Sequence, residues 1–430
     1  HLPFFPSALS WCPRFALMKS LEFSGRFDAL DGLRYFASLQ VVLSHQSEIF
    51  VPFLWGSIWT QLFFLLSGFV LAYAEMVRPK SSAGQLTQLQ YTWRRLKKIY
   101  PPYLLTIFIS MIQISHSAFE WKTLILNLLL LQAWIPMVNE SNPLKLEAST
   151  TSWVGVSWFL SALLLYWQFL RPAARFCQRM SMKLALLSLL CLWLWTAVML
   201  YIWMNVHLVS GYFMMVVLHE GPLGYVHVFL SGVVLARVFL LLVYMDAHTG
   251  EAPDADTERL TLRSDRDQMQ LPFIFKFGTS IALVCYLPLF WIPVRYDSPV
   301  LAVCHNGGLL PMMCLLLLCC SLETDLLASC LGSAPAKVLG RISYCQYIIQ
   351  GNVWLLMLQH LQENFWMFLP VFLVLLGIIA YVMEWLVSAV VDWMLHDPLK
   401  QPAPLVLSES TDESSSEELR STTDLWVCGL

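Results

Sequence analysis

The sequence predicts an all-α, polytopic membrane protein, and its composition, its apolar segments and the placement of its charges all favour that class. Of its 430 residues, 57% are hydrophobic and 13% are charged, against about 45–50% and about 25% in soluble domains. A membrane-spanning helix needs about 20 apolar residues. Such a composition excludes a disordered chain, a disulfide-stapled secreted module and a nucleic-acid-binding protein with a basic surface. Segments that approach the spanning length centre on 30–52, 58–77, 100–118, 121–137, 156–171, 183–206, 223–244, 272–293, 299–321, 342–360 and 367–394.

Lys and Arg accumulate on the cytosolic side of membranes, and their distribution predicts how these segments cross. Cations in the stretches 1–26, 94–98 and 171–183 all favour the cytosol. An even number of crossings must therefore separate the last two stretches, although three candidate segments lie between them. We predict that the short segment 121–137, which ends at Pro136, lies in the interface or re-enters. The chain then crosses about ten times with both termini in the cytosol.

Charge and composition divide the chain into three parts. Residues 1–26 form an N-terminal cytosolic segment, and 27–395 form the transmembrane domain, which contains a charged cytosolic loop at 246–270. Residues 396–430 form an acidic, Ser-rich tail, with six acids and one base after residue 400, and such a tail cannot bury enough apolar surface to fold. Most of the eleven cysteines lie in apolar runs without metal-ligand spacing, so we predict neither a disulfide framework nor a metal site.

Arg34 and His45, in the first apolar segment, are the strongest candidates for function because ionisable residues inside a membrane are costly. They are eleven residues apart, which places them on one helix face about 16 Å apart. A guanidinium near the cytosolic end suits phosphate binding, and a deeper imidazole can take a proton from a hydroxyl group. The alternative is structural: Arg34 reaches lipid phosphate and His45 hydrogen-bonds to a neighbouring helix. Asp31, three residues before Arg34, is placed to pair with it.

A second cationic feature lies in YTWRRLKKIYPPYLL, at residues 91–105. Four cations within five residues precede Pro101 and Pro102, which we expect to break the helix. On its own, this cluster is a common anchor at the cytosolic side of a membrane. Beside Arg34 on the same side, it is a candidate clamp for the phosphates of a nucleotide-like donor.

Taken together, these motifs resemble the acyltransferase 3 family of integral-membrane O-acyltransferases, which includes bacterial acetylases of surface polysaccharides and peptidoglycan. The similarity follows the family's order from about residue 27 to 395. Its motifs are Arg34-x10-His45, FFLLSGFVLA at 63–72, RRLKKIYPPY at 94–103, SWFLSALLLYW at 157–167, HVFLSGVVLAR at 227–237 and LGRISYCQYIIQ at 339–350.

The resemblance implies a substrate pair and roles for the charged residues. Acyl-CoA, with acetyl as the expected acyl group, binds from the cytosol, and its phosphates are held by Arg34, Arg94, Arg95 and Lys98. Lys98 stands where the family has the second arginine of Arg-x-x-Arg, so the charge is kept without the bidentate fork. His45 acts as general base on a hydroxyl of a sugar or glycolipid acceptor, or briefly carries the acyl group. The other implied partner is the lipid of the plasma membrane or an internal membrane.

Supporting residues are assigned on the same resemblance. Ser67, in FFLLSGF, either lines the passage between donor and acceptor or serves only close helix packing. Trp158 lies in the Trp-rich segment, and Tyr344 and Gln350 lie in the Ser-Tyr segment. These three are expected to support the reaction rather than to carry it out.

Two positions depart from the family's pattern. Many members carry Glu where this chain has Leu163, and many end the Ser-Tyr motif with His where it has Gln350, which hydrogen-bonds but does not exchange a proton near neutral pH. Two alternatives to an acyltransferase therefore remain. The departures are compatible with a catalytically inactive membrane scaffold, and the cationic cluster at 94–98 is compatible with a transporter of small organic anions. No internal repeat is evident, which argues against the transporter hypothesis because many transporters are built from repeated halves. The intact Arg34 and His45 favour an acyltransferase.

Overall fold

The structure is a computed structural model of the chain. It describes residues 27–45, 55–56, 58–77, 86–113, 120–134, 153–205, 221–244, 277–287, 300, 303–323, 325–361 and 365–395. The predicted N-terminal segment 1–26, the loop 246–270 and the tail 396–430 lie outside the described residues. The domain boundaries therefore stay predictions.

Every long regular element formed by the described residues is a helix, which confirms the predicted all-α class. The α-helices are α1 (Asp28–Ser44), α2 (Thr60–Val77), α3 (Gln88–Gln113), α4 (Trp121–Leu128), α5 (Trp158–Gln178), α6 (Met182–Asn205), α7 (Val226–Tyr244), α8 (Gly278–Tyr286), α9 (Leu310–Leu322), α10 (Leu326–Leu331), α11 (Ala334–Leu361) and α12 (Phe365–Leu395). A short 3₁₀ turn, Gly155–Ser157, leads into α5.

Four of these helices are long and apolar enough to cross a membrane, and they fall into two groups. The apolar windows of α2 and α7 are 78% and 72% buried, whereas those of α6 and α12 are 17% and 22% buried. The first pair therefore lies inside the bundle, and the second pair presents apolar side chains to its surroundings, as lipid-facing helices do. The architecture is that of a polytopic membrane protein, and the count of about ten crossings stays a prediction.

The centre of the bundle is a close crossing of α2 and α7, which the small residues of both helices permit. A Cβ atom on Gly68 would clash with the backbone oxygen of Phe229, and one on Gly232 would clash with that of Leu65. Phe64 stacks on Tyr225 near the start of both helices, with ring centres 4.9 Å apart, and Tyr73 lies 5.7 Å from Phe239 further along both. The two helices therefore run in the same direction, as the predicted topology requires.

This crossing also reveals a similarity that the sequence analysis missed. FLLSGFVLA at 64–72 and VFLSGVVLA at 228–236 share six of nine residues, and both segments lie at the crossing. The expectation of no internal repeat was therefore wrong for these two nine-residue segments. The similarity serves tight packing of two helices by matched glycines.

Two predicted segments differ from the helices observed, and the described part of a third, 121–137, agrees with the prediction that it does not span. The segment 30–52 is helical up to Ser44, and His45 is the residue that ends α1, so His45 lies at a helix end rather than within a longer helix. The expected break at Pro101 and Pro102 was wrong, because α3 continues through both. The prolines remove the N–H donors to the carbonyls of residues 97 and 98, which lie on an exposed side of the helix. The helix α4 has eight residues, about 12 Å, which is too short to span.

A non-helical turn, Cys304–Gly308, is held between three helices by side-chain donors. Gln61 of α2 donates to the backbone oxygen of Cys304, and Trp193 of α6 donates to that of Gly308 at 3.2 Å. His227 Nε2 of α7 lies 2.9 Å from the backbone oxygen of Asn306. Irregular backbone inside a membrane protein needs such partners, because lipid offers none. His227 is 3% exposed and is therefore a tether of this turn.

Candidate active site

The helices α1 and α11 lie side by side and carry the residues predicted to react. Near the start of both helices, Lys337 Nζ donates to Asp28 Oδ2 at 2.9 Å. At the end of α1, His45 Nδ1 lies 2.9 Å from Gln350 Oε1. Contacts occur in the same order along both helices, so α1 and α11 are parallel, and one face of α1 lies against one face of α11.

Arg34 is buried in this contact and its guanidinium is fixed from three directions. Nη2 donates to the backbone oxygen of Gly340 at 2.7 Å and to Asp31 Oδ1 at 3.2 Å, and Nε donates to Ser343 Oγ at 3.0 Å. The expected pair of Asp31 and Arg34 is therefore present. Arg34 is 4% exposed, and a buried charge is tolerated only with partners of this kind. Gly340 permits the approach, since a Cβ there would lie 2.5 Å from the backbone oxygen of Asp31.

His45 makes a hydrogen bond whose direction follows from its neighbours. Gln350 Nε2 donates to the backbone oxygen of Tyr347 at 2.8 Å, so the amide oxygen is the end that faces His45. An amide oxygen accepts and does not donate. The contact therefore fits the tautomer with the proton on Nδ1, which leaves the lone pair on Nε2. His45 as a whole is an exposed residue.

The helix α3 brings the cationic cluster to the same side of α11. Tyr344 Oη of α11 donates to the backbone oxygen of Ile99 at 2.8 Å. Further along both helices, Asn352 Nδ2 donates to Ser110 Oγ at 2.8 Å. The contacts again follow the same order, so α3 and α11 are parallel. Arg95, one turn before Ile99, therefore lies toward the end of the bundle that holds Arg34.

The structure divides the predicted phosphate-binding cations into two kinds. Arg95 is 4% exposed, and its guanidinium carbon lies 5.4 Å from the centre of the Tyr91 ring. Arg94 and Lys98, on other sides of the helix, are exposed. Arg95 is therefore the member of the cluster that faces the interior, whereas Arg94 and Lys98 offer charge at the surface.

A small cavity lies next to Arg34, between α1, α2, α5 and α11. Its volume of about 20 Å³ is room for about one water molecule. The cavity includes Ser67 and Tyr344, which the sequence singled out, and does not include Trp158. Trp158 instead stacks on Tyr225 with ring centres 5.7 Å apart. The lining consists of Arg34, Phe63, Leu66, Ser67, Phe159, Ser343, Tyr344 and Tyr347.

Sequence reasoning missed five residues of this lining, namely Phe63, Leu66, Phe159, Ser343 and Tyr347. Ser343 and Tyr347 precede Gln350 by seven and three residues, and this spacing puts all three on one face of α11. This spacing is the sequence signal from which Ser343 and Tyr347 could have been identified. Gly68 meanwhile serves packing and its neighbour Ser67 lines the cavity, and the role of Ser67 in a passage between donor and acceptor stays a prediction.

Comparison with known proteins identifies the family of this chain. A family model described as an acyltransferase domain matches residues 27–387. The chain belongs to the acyltransferase 3 family. It is also 36% identical over 130 residues to the protein named acyltransferase MdmB of Streptomyces mycarofaciens, and the match covers 26% of this chain and 32% of the relative. The chain thus matches about a third of that relative's length. No solved structure gives a significant match.

Within this acyltransferase 3 protein, the two charged candidates stand at opposite ends of one contact. Arg34 and His45 both face α11, where Ser343 and Gln350 are their partners. Eleven residues of helix separate them by about 16 Å. Leu163, at the position where many members have Glu, is fully buried in α5. The arrangement can hold an anion at one end and accept a proton at the other.

Proposed function

We propose that the protein is a membrane-bound O-acyltransferase that moves an acyl group, with acetyl the expected one, from acyl-CoA to a hydroxyl of a carbohydrate or lipid-linked acceptor. The observation that carries this proposal is the exposed His45, held through Nδ1 by Gln350 on the same α1–α11 contact as the fixed guanidinium of Arg34. Membership of the acyltransferase 3 family supports the reaction class.

The donor is proposed to bind with its phosphates at the end that holds Arg34 and Arg95. Both guanidinium groups are buried on helices that each pack against α11 and run parallel to it, and electrostatic attraction is strongest in such low-dielectric surroundings. Arg94 and Lys98 lie exposed on α3 and add attraction for a polyanion at longer range. The flexible arm of CoA then extends along α1 toward His45.

The proposed reaction uses His45 as general base. Nε2 takes the proton of the acceptor hydroxyl while its oxygen attacks the thioester carbonyl carbon. A carbon–oxygen bond forms, the carbon–sulfur bond breaks, and the departing sulfur takes the proton back from the imidazolium. The products are an O-acyl ester and the free thiol of CoA, with no net change at His45.

Radiolabelled acetyl-CoA given to the purified protein tests the proposal. We expect hydrolysis or transfer of label with the native protein and background label with His45→Ala. Equal signals from both proteins would refute His45 as the base, and donor binding without any transfer would favour an inactive scaffold. Mass spectrometry of glycans and lipids from cells with and without the gene would identify the acceptor.

A further inference from the structure

We propose that Gln350 is a positioning residue that holds His45 in the tautomer with the proton on Nδ1, so that Nε2 is the nitrogen that accepts the hydroxyl proton. This inference rests on the proposed function, although one of its tests needs no catalytic activity. Many family members carry His at this position, so the role belongs to the glutamine of this chain.

The polarity of two hydrogen bonds supports the assignment. Gln350 Nε2 lies 2.8 Å from the backbone oxygen of Tyr347, an atom that only accepts. If the amide turned round, its own oxygen would face that carbonyl oxygen, and the buried bond to Tyr347 would become a repulsive contact. Oε1 is therefore held 2.9 Å from His45 Nδ1, and it can bind only a protonated nitrogen.

Burial strengthens the constraint on the amide. Gln350 is 3% exposed, so water competes poorly for its oxygen, and an unpaired buried amide would be costly. The residue that anchors it, Tyr347, is itself 5% exposed and packs between the rings of Phe63 and Phe159. The amide is therefore fixed on one side by the core, while His45 on the other side remains exposed.

A glutamine also differs chemically from a carboxylate at this position. A carboxylate facing Nδ1 would stabilise the charged imidazolium and would delay its deprotonation to higher pH. The neutral amide orients the ring and adds no charge, so the imidazole remains available as a base. This difference separates positioning from simple packing, because packing alone does not depend on the charge of the side chain.

The direct test is nitrogen-15 NMR of histidine-labelled protein in lipid nanodiscs, with the His45 signals assigned by their loss in His45→Ala. We expect a protonated Nδ1 and an unprotonated Nε2 in the native protein, and a mixture of tautomers in Gln350→Leu. The matched control is Gln346→Leu, one turn earlier on α11 and also 3% exposed, which should keep the native signals. A proton on Nε2 in the native protein, or unchanged signals in Gln350→Leu, would overturn the proposal.

The kinetic test follows hydrolysis of acetyl-CoA by thiol release. We expect kcat of Gln350→Leu to fall about 10-fold or more with KM for acetyl-CoA unchanged, because the donor phosphates bind at the other end of α1. Gln350→His, which restores an acceptor, should recover most of kcat, and Gln346→Leu should lose little. Gln350→Glu should move the acidic limb of the pH–rate profile upward by about one pH unit, whereas Gln346→Glu should not.

Different results would contradict the proposed function and the proposed role of Gln350. If His45→Ala hydrolyses acetyl-CoA as fast as the native protein, the proposed function is wrong. If His45→Ala is inactive while Gln350→Leu and Gln346→Leu behave alike in rate and in tautomer, the role of Gln350 alone is wrong. A folded Gln350→Glu with an unshifted pH profile would also contradict the positioning role.

Discussion

Two histidines of this protein make the same kind of hydrogen bond in opposite surroundings. His45 Nδ1 lies 2.9 Å from the side-chain oxygen of Gln350, and His227 Nε2 lies 2.9 Å from the backbone oxygen of Asn306. His227 is 3% exposed and fastens the turn Cys304–Gly308, whereas His45 is exposed at the end of α1. One contact holds backbone in place, and the other orients a ring that can react.

The difference teaches that residue type and membrane location do not by themselves identify a catalytic histidine. Both rings belong to helix-end residues and both have an oxygen partner. What separates them is the exposure of the residue, together with a partner on a helix that also fixes a cation. His45 has both features, because α11 holds Gln350 and the partners of Arg34 on one face.

The largest expected effect is that of His45→Ala on catalysis. Removal of the general base should lower the rate of acetyl-CoA hydrolysis by about 100- to 10,000-fold. The melting temperature should hardly change, because an exposed residue contributes little packing. Thiol release and thermal unfolding in the same detergent measure the two quantities. A variant that keeps the native rate would remove the proposed distinction between the two histidines.

The next effect is on stability and concerns the turn that His227 holds. Gly307 has φ of 105°, and a Cβ there would lie 2.7 Å from both His227 Nε2 and Thr196 Oγ1. Gly307→Ala should therefore reduce the free energy of unfolding by about 1–3 kcal/mol. Gly351→Ala is the control, because its Cβ would meet nothing within 4 Å. Equal melting temperatures of the two variants would show that the turn adapts.

A smaller effect is expected of His227→Leu, which tests directly whether His227 is structural and His45 is not. Loss of the bond to the backbone oxygen of Asn306 should reduce the free energy of unfolding by about 0.5–1.5 kcal/mol. The rate per folded molecule should stay at the native value, since His227 is a tether. Thermal unfolding and thiol release, normalised to folded protein, give the answer. A strong fall in rate with unchanged stability would instead assign His227 to the reaction.

The smallest effect is expected of Ser67→Ala in the cavity beside Arg34. Removal of one hydroxyl from the lining should change the free energy of unfolding by less than about 0.5 kcal/mol and lower kcat/KM about two- to tenfold. Gly68→Ala is the structural counterpart, because its Cβ would clash with the backbone oxygen of Phe229. If Ser67→Ala destabilised the protein as much as Gly68→Ala, Ser67 would be a packing residue.

The sequence predicted the fold class, the family and the two ends of the candidate site, because these depend on composition and on local spacing. Arg34 and His45 share a face at a separation that the helix period sets, and Asp31 pairs with Arg34 within one turn. The continuity of α3 through its prolines was not predictable, because it depends on which carbonyls lose donors and whether these are exposed.

Residues of other helices were harder to predict for a physical reason. Ser343 and Tyr347 enter the cavity only because α11 lies parallel to α1, and this register depends on the close approach at Gly340. The partner of His45 could be identified as a supporting residue by resemblance, but the direction of its hydrogen bond required the backbone oxygen of Tyr347. Long-range packing, rather than local pattern, decides such contacts.

The register of α1 against α11 fixes the distance between the side chains of Arg34 and His45. Sliding one helix by a single turn would move it about 5.4 Å, and it would separate Arg34 from Ser343 and His45 from Gln350 at once. The interval between guanidinium and imidazole is therefore set by backbone geometry rather than by flexible side chains. Under the proposed function, a donor whose anionic group lies too close to its thioester would not reach both ends.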